Sequence, residues 1–492
     1  MSEKKSAVEL LSCGKYAPAH LGDILVLGLG KSGRAAACYC LDRLGSRVTS
    51  VSIAAGVIDD DGRAFAQSCA ERGAKVTSDS YDINGSYDLC IASPGISQFS
   101  DFYQNAASAS DEIISEVEFA WRESDPDSTW VAITGTNGKT TTTALTTHIL
   151  TQAGLPFVAV GNIGDTCLDA VARHTAKGYV AEVSSFQLAS TEYFAPDIAI
   201  MLNITPDHVE WHKSNEAYID AKMNILKNLA TSHGVAIMNA SDEVVRHRID
   251  DEYSLKGSQH SFECIPVGSA AGIDTPYCAI DHSASLAFLQ DRSMLTIVYR
   301  GEEHTLCSRN DLQIPGLHNV LNALMAASAA VVLGVPDDKI ISALTSFQSL
   351  EHRLEFCGTV KGARCFNDSK ATNVDATLKA FAAFDDCRPI VMLGGHDKGT
   401  PLDELVVQAE LHCKSVICFG AAAARFAQAF SDASIPVYVE KTMEPALDRA
   451  IALSSDGDII LLSPACSSYD EFSCFEERGT MFKQMVHDRA DR

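Results

Sequence analysis

Trp130-Val131-Ala132-Ile133-Thr134-Gly135-Thr136-Asn137-Gly138-Lys139-Thr140-Thr141-Thr142 passes from an apolar run through a glycine turn into a helix start. A buried strand feeding Gly-Lys-Thr is the setting of a phosphate loop. Backbone N–H groups around Gly135 and Gly138 converge on phosphate oxygens, Lys139 reaches the β- and γ-phosphates, and the Thr140 hydroxyl holds Mg²⁺. The spacing departs from the common G-x-x-x-x-G-K-[ST] form, whose first Gly would fall at Ile133. The strand-turn-helix context still favours a nucleotide loop over a turn that needs glycine for backbone reasons alone. Gly135, Thr136, Asn137, Gly138, Lys139, Thr140 and Thr141 are therefore the candidate ATP contacts.

The chain has 492 residues, which at about 150 residues per domain gives about three domains. With 46% hydrophobic and 21% charged residues it has the composition of a soluble globular protein. No apolar run reaches the roughly 18 residues that span a bilayer, so no membrane association is expected. The net charge of −25 argues against a nucleic-acid surface. Anionic substrates must then be held locally, by glycine loops, helix N-termini, a few cations and Mg²⁺. Sixteen scattered Cys without a C-x-x-C pair point to reduced thiols and a cytoplasmic protein, and make zinc an unlikely ligand on spacing.

A second glycine loop, Gly28-Leu29-Gly30-Lys31-Ser32-Gly33, follows the apolar strand Asp23-Ile24-Leu25-Val26-Leu27 and precedes an Ala-rich helix. A dinucleotide site would want an acid at the end of the next strand. The segment 47–52 offers only hydroxyls there, and Asp59 to Asp61 fall further along, in the following loop. Another phosphate-bearing ligand therefore fits this loop better than NAD. Ala92-Ser93-Pro94-Gly95-Ile96 ends a further strand, where open α/β sheets bind ligands.

Polar residues 123–128 mark one domain boundary and Gln348-Ser349 a second, giving domains 1–125, 126–348 and 349–492. In the middle domain repeated βα alternation predicts a parallel sheet with helices on both faces. Glu182 and His208 follow two of its strands and are candidate metal ligands. Hairpin strands are expected around 295–298 and 303–306. Asn319 and Asn322, three apart on one predicted helix, can share a ligand. The last domain opens with a hairpin-like segment through Phe366 and returns to βα alternation. Its strand ends carry Asn367-Asp368-Ser369-Lys370-Ala371-Thr372-Asn373, Gly394-Gly395-His396-Asp397-Lys398 and Ser463-Pro464-Ala465-Cys466-Ser467-Ser468-Tyr469-Asp470, which together suggest a second substrate site.

Three nucleotide-type α/β domains, the Gly-Thr-Asn-Gly-Lys-Thr-Thr loop and Asn-Asp-Ser-Lys-Ala-Thr-Asn resemble the Mur ligase family of ATP-dependent amide-forming enzymes. The resemblance implies a Rossmann-like UDP-substrate domain, a central ATPase domain and a Rossmann-like amino-acid domain. Within the family, the motifs from Asn367 and Ser463 are closest to the member that adds D-glutamate to UDP-N-acetylmuramoyl-L-alanine. An Asp-Asn-Pro-Arg motif, expected of the next ligase, is absent from the sequence. Carried over by position, the resemblance implies Lys139, His208, Lys222 and Lys370 as catalytic residues. It implies Thr140, Glu182, His208 and a carbamylated Lys222 around two Mg²⁺ ions. Asn319, Asn322, Arg353 and Asp368 become nucleotide contacts. Gly28, Lys31, Ser32, Gly95, Asn162 and Ser184 become UDP-substrate contacts. Lys370, Thr372, Lys398, Ser468 and Phe475 become the D-glutamate pocket. A monomer acting on these three small molecules is expected. Uracil recognition stands out, because residues 50–52 provide no acid where the family often has one.

Overall fold

The computed structural model describes residues 15–256, 262–268, 285–384, 387–397 and 399–490; Lys398, one of the residues assigned to the amino-acid pocket, lies outside them. The chain divides into two compact units, Met1–Arg309 with Leu321–Leu344, and Asn310–Val320 with Thr345–Arg492. The described residues form three sheets, two in the first unit and one in the second.

The first sheet contains β1 (Gly22–Leu27), β2 (Val48–Ala54), β3 (Lys75–Thr77), β4 (Leu89–Ala92) and β5 (Ile113–Ser115). All pairings are parallel, in the order β3-β2-β1-β4-β5. Strand order reverses beside β1, and a crevice opens at the carboxyl ends there. The first glycine loop follows β1 and the Ser93-Pro94-Gly95 loop follows β4, so both lie at that crevice.

The second sheet contains β6 (Thr129–Thr134), β7 (Phe157–Gly161), β8 (Gly178–Glu182), β9 (Ile198–Met201), β10 (Val235–Asn239), β11 (Glu263–Gly268), β12 (Leu286–Gln290), β13 (Met294–Tyr299) and β14 (Glu302–Ser308). Its order is β14-β13-β12-β11-β10-β9-β6-β8-β7. Strands β6 to β11 are parallel with βα connections, but β12, β13 and β14 run antiparallel. The expected parallel sheet is thus a mixed one. Two residues, Arg300 and Gly301, both at positive φ, join β13 to β14. That is a tight hairpin turn, far too short for a crossover.

Buried charge fixes the first sheet's flank against the second. Glu118, fully buried, accepts the backbone N–H groups of Glu192 (2.5 Å) and Tyr193 (2.9 Å) and pairs with Arg122, which also grips Glu112 at 2.7 Å. Satisfied on all sides, such a network holds its partners in one arrangement.

The second unit carries β15 (Glu355–Val360), β16 (Ala363–Asn367), β17 (Ile390–Gly394), β18 (Ser415–Phe419), β19 (Val437–Val439) and β20 (Ile459–Leu462). The order is β15-β16-β20-β17-β18-β19. β15 and β16 form the expected hairpin and the remaining pairings are parallel. Asn367, Gly394 and Leu462 thus end neighbouring strands at one edge, bringing the three polar motifs together.

Candidate active site

The phosphate loop leaves β6 and enters the helix Lys139–Gln152 through Gly138, at φ 86°. A Cβ at Gly138 would lie 2.8 Å from Asn322 Oδ1, so only glycine lets the loop approach that asparagine. Asn203, at the end of β9's extension, holds the loop from the other side. Its Oδ1 accepts from Asn137 N (2.9 Å) and its Nδ2 donates to Asn137 O (3.0 Å). Thr136 Oγ1 lies 2.8 Å from the Tyr218 hydroxyl.

Two amines meet beneath the loop. Lys139 Nζ donates to Gly135 O and Thr136 O, each at 2.9 Å. Lys222 Nζ, from the helix Asn215–Met223, donates to the same Gly135 O at 2.8 Å and lies 4.8 Å from the Tyr218 ring centre. Burial first, and then the neighbouring Lys139 charge, push Lys222 down to about 7. A lysine held this way is substantially neutral at physiological pH and can act as a nucleophile.

Glu182 ends β8, beside β6 in the sheet. It is buried, and its Oε2 has no hydrogen-bond partner, a polar atom that asks for a cation or donor. Among the described residues no three His, Cys, Asp or Glu side chains cluster. A single buried strand-end carboxylate suits Mg²⁺, which keeps waters and binds through one or two carboxylates together with phosphate oxygens. His208 follows β9 as expected, beyond the loop 202–207. It caps the short helix Val209–His212 at φ 52°, half exposed, with its ring 4.8 Å from Phe186. Behind it His212 is fully buried, its Nε2 3.0 Å from Ser185 Oγ, and burial with the His208 and Lys222 charges lowers it to about 4.

A cavity of about 1090 Å³ opens at the reversal point of the first sheet. Gly28, Lys31, Ser32, Gly95 and Asn162, the expected UDP-substrate contacts, all line it. Ser184 does not; it caps the helix Ser185–Leu188 in a reciprocal pair with Gln187. Residues 50–52 lie inside β2 and not at its carboxyl end. β2 continues to Ala54, and Ser50 pairs with Asp23 near its start, donating to Asp23 Oδ1 at 2.5 Å. Asp59, in the loop beyond the strand, lines the cavity wall and caps the helix Asp60–Glu71, its Oδ1 accepting from Gly62 N at 2.7 Å.

In the second unit Asp368 is buried and accepts from Ser463 Oγ (2.8 Å) and Leu354 N (3.3 Å). Burial raises its carboxyl to about 7. Lys370 Nζ stands 5.2 Å over the Phe475 ring, and Thr372 N donates to Lys370 O at 2.8 Å. Ser468, buried, accepts at its carbonyl from Phe472 N at 2.8 Å. Asn319 and Asn322 both lie on the helix Leu317–Val332 and are buried; Asn319 Nδ2 donates to Pro315 O at 2.7 Å. Arg353 sits in the turn before β15, where its charge lowers the Asp368 carboxyl against the stronger effect of burial.

Residues 133–330 match the Mur ligase middle domain and residues 352–466 the Mur ligase glutamate ligase domain. A UDP-N-acetylmuramoylalanine--D-glutamate ligase from Halalkalibacterium halodurans is 36% identical over 468 residues, 94% of this chain and 96% of that protein. The chain belongs to the Mur ligase family. A protein of the same name from Streptococcus pneumoniae is 34% identical over 473 residues, 94% of this chain and 96% of its own. Two solved structures share the fold, each with a TM-score of 0.53: a pseudomurein peptide ligase type C from Methanothermus fervidus (18% identity, 95% of this chain and 99% of that one) and a UDP-N-acetylmuramate-alanine ligase from Thermotoga maritima (17%, 95% and 100%).

Reading residues in order missed several groups that organise this Mur ligase. Asn203 and Tyr218 grip the phosphate loop from segments far along the chain. Arg478 is the largest omission. It is fully buried in the helix Phe475–Ala490, and donates to Ser369 Oγ (2.9 Å) and O (2.8 Å), Cys466 O (3.0 Å) and Ser467 O (3.1 Å). Burial lowers it only to about 10, so it stays charged. One guanidinium thus ties two polar strand ends together. Arg478→Met is expected to destabilise the Mur ligase by about 3–5 kcal/mol, since it strands buried acceptors built for a charge. Arg478→Lys should recover only part of that, lacking the planar fork. Thermal melts of both variants check the order.

Proposed function

We propose that this Mur ligase uses ATP to join D-glutamate to UDP-N-acetylmuramoyl-L-alanine, in cytoplasmic peptidoglycan precursor synthesis. The observation that carries the choice of member is kinship along almost the whole chain to proteins named for that reaction. In this reading the substrate carboxylate attacks the γ-phosphate of ATP to give an acyl phosphate. The amine of D-glutamate adds to the acyl carbon, and phosphate leaves from the tetrahedral intermediate. Several negative charges meet, so the residues act chiefly by positioning and neutralising charge.

Lys139 and the loop N–H groups hold the β- and γ-phosphates, with Asn322 against Gly138. Asn319, Arg353 and Asp368 complete the nucleotide contacts. When bound, Mg²⁺ at Thr140, Glu182, His208 and Lys222 neutralises charge developing on the transferred phosphoryl group. Lys222 carries a carbamate, which converts an ammonium into an oxygen donor. The near-neutral buried amine supports that assignment, because only the unprotonated form adds to CO₂. The UDP-substrate rests on Gly28, Lys31, Ser32, Gly95 and Asn162. Lys370, Thr372, Lys398, Ser468 and Phe475 receive the acceptor. The working unit is a monomer of three domains, 1–125, 126–348 and 349–492. Among the described residues no helix is long and apolar enough to cross a membrane.

Phosphate release with UDP-N-acetylmuramoyl-L-alanine and D-Glu, L-Glu, D-Gln or meso-diaminopimelate tests the acceptor. D-Glu should be preferred. D-Gln leaves one cationic cluster facing no carboxylate, at a cost of about 1.5–3 kcal/mol, or roughly ten- to a hundredfold in kcat/KM. Preference for diaminopimelate would assign the chain to another member.

A further inference from the structure

Tyr81 stands in the wall of the cavity at the first glycine loop with 59% of its surface exposed. Its ring is nonetheless held on two sides. The edge packs against Phe102, with centroids 5.2 Å apart and planes at 84°. Behind it lies Gly56, where a Cβ would sit 2.6 Å from Tyr81 Cε1. Any other residue at 56 would displace the ring. Two contacts therefore fix an aromatic group that is still largely uncovered.

The other end of the same cavity is built for phosphate. The helix Lys31–Leu41 begins there, Lys31 and Arg34 line the wall, and the Ser93 hydroxyl is buried beneath the loop without a hydrogen-bond partner. A ligand whose phosphates meet this helix N-terminus has the rest of the lining, Val57, Asp59 and Tyr81 among it, for its remaining bulk. Val57 is 82% exposed, a further apolar group awaiting cover.

We infer that Tyr81 is the stacking platform for the base of the nucleoside diphosphate substrate, standing in for recognition by a strand-end carboxylate. This rests on the proposed function for the identity of the substrate, and deepens it at the nucleotide end. A base presents a π-face whatever its polar edge, and a pre-positioned aromatic ring meets it without ordering cost. Gly56 serves the same end by leaving room for the ring.

Three variants of the full chain decide it: Tyr81→Ala, Tyr81→Phe, and Tyr81→Leu, which keeps bulk without the π-face should the alanine variant melt early. Steady-state kinetics with UDP-N-acetylmuramoyl-L-alanine are combined with calorimetric titration of UMP and of ribose 5-phosphate. Tyr81→Ala and Tyr81→Leu should raise KM roughly tenfold or more with kcat within about twofold. They should also erase most of the preference for UMP over ribose 5-phosphate, and Tyr81→Phe should keep both properties. An unchanged KM, or equal weakening of both probes, would overturn the platform and leave Tyr81 a structural residue. Failure of the wild-type chain to release phosphate with this substrate and D-glutamate would count instead against the proposed function, and the UMP titrations would still report on Tyr81.

Discussion

Lys139→Ala should abolish turnover of ATP while the chain stays folded. The Lys139 amine donates to two loop carbonyls, Gly135 O and Thr136 O, and the side chain is not part of the hydrophobic core. Its removal costs little stability, because both carbonyls lie at a part-buried loop where water can replace it. In the proposed function the β- and γ-phosphates lose the Lys139 cation. Removing one preorganised electrostatic contact at a transferring group typically costs on the order of 10²–10³ in rate. Phosphate release, measured beside a thermal melt of the same sample, checks both halves. Near-normal release would sink the assignment of the loop. The substitution has a second consequence. The Lys139 charge helps depress Lys222, so the alanine variant should make Lys222 more basic.

How far the sequence carried this picture depended on whether the determining contacts were local. The phosphate loop was legible because strand, glycine turn and helix start are consecutive residues, and Gly138 adopts the left-handed geometry its position implied. The polar clusters of the last domain were legible for a topological reason: parallel strands deliver all their carboxyl ends to one edge. Strand limits were less so. The end of β2 at Ala54 follows from its pairing with β1 and β3, and Val51-Ser52-Ile53 carries no stop signal of its own. The acid nearest that end, Asp59, lies beyond it in the loop and caps the next helix. Strands β13 and β14 were legible as a hairpin, but β12 was not, nor was their continuation of the parallel sheet, which needs the pairing of β11 with β12. Nothing in the residues around Arg478 marks it out. Its role comes from three carbonyls that two loops present to it, and no spacing rule encodes such a meeting.

Lys222→Ala should be nearly inactive, and short-chain carboxylic acids added to the assay should restore part of its activity. Lys222 is 2% exposed and donates to Gly135 O at 2.8 Å, so its removal opens a small space directly beneath the phosphate loop. A formate or acetate entering that space would return the oxygens of the proposed carbamate to the side of Glu182. The pH dependence sets this reading apart from a lysine acting as a plain cation. The folded pKa is depressed from 10.5 to about 7. The amine is therefore mostly neutral above pH 7 and protonated below it, and only the neutral form can add to CO₂. Wild-type activity should fall as pH drops through about 7, and bicarbonate should oppose the fall. A lysine needed as a cation would show the opposite trend, losing activity as pH rises through 7. Stability runs with the same sign. The unfolded lysine binds a proton up to its ordinary value and the buried one does not, so between pH 7 and about 10 the wild-type chain, held free of bicarbonate, gains stability from this residue as pH rises. The rescued variant should lack both the bicarbonate response and that stability gain. Full activity of Lys222→Ala in bicarbonate-free buffer would show that neither the amine nor its carbamate takes part.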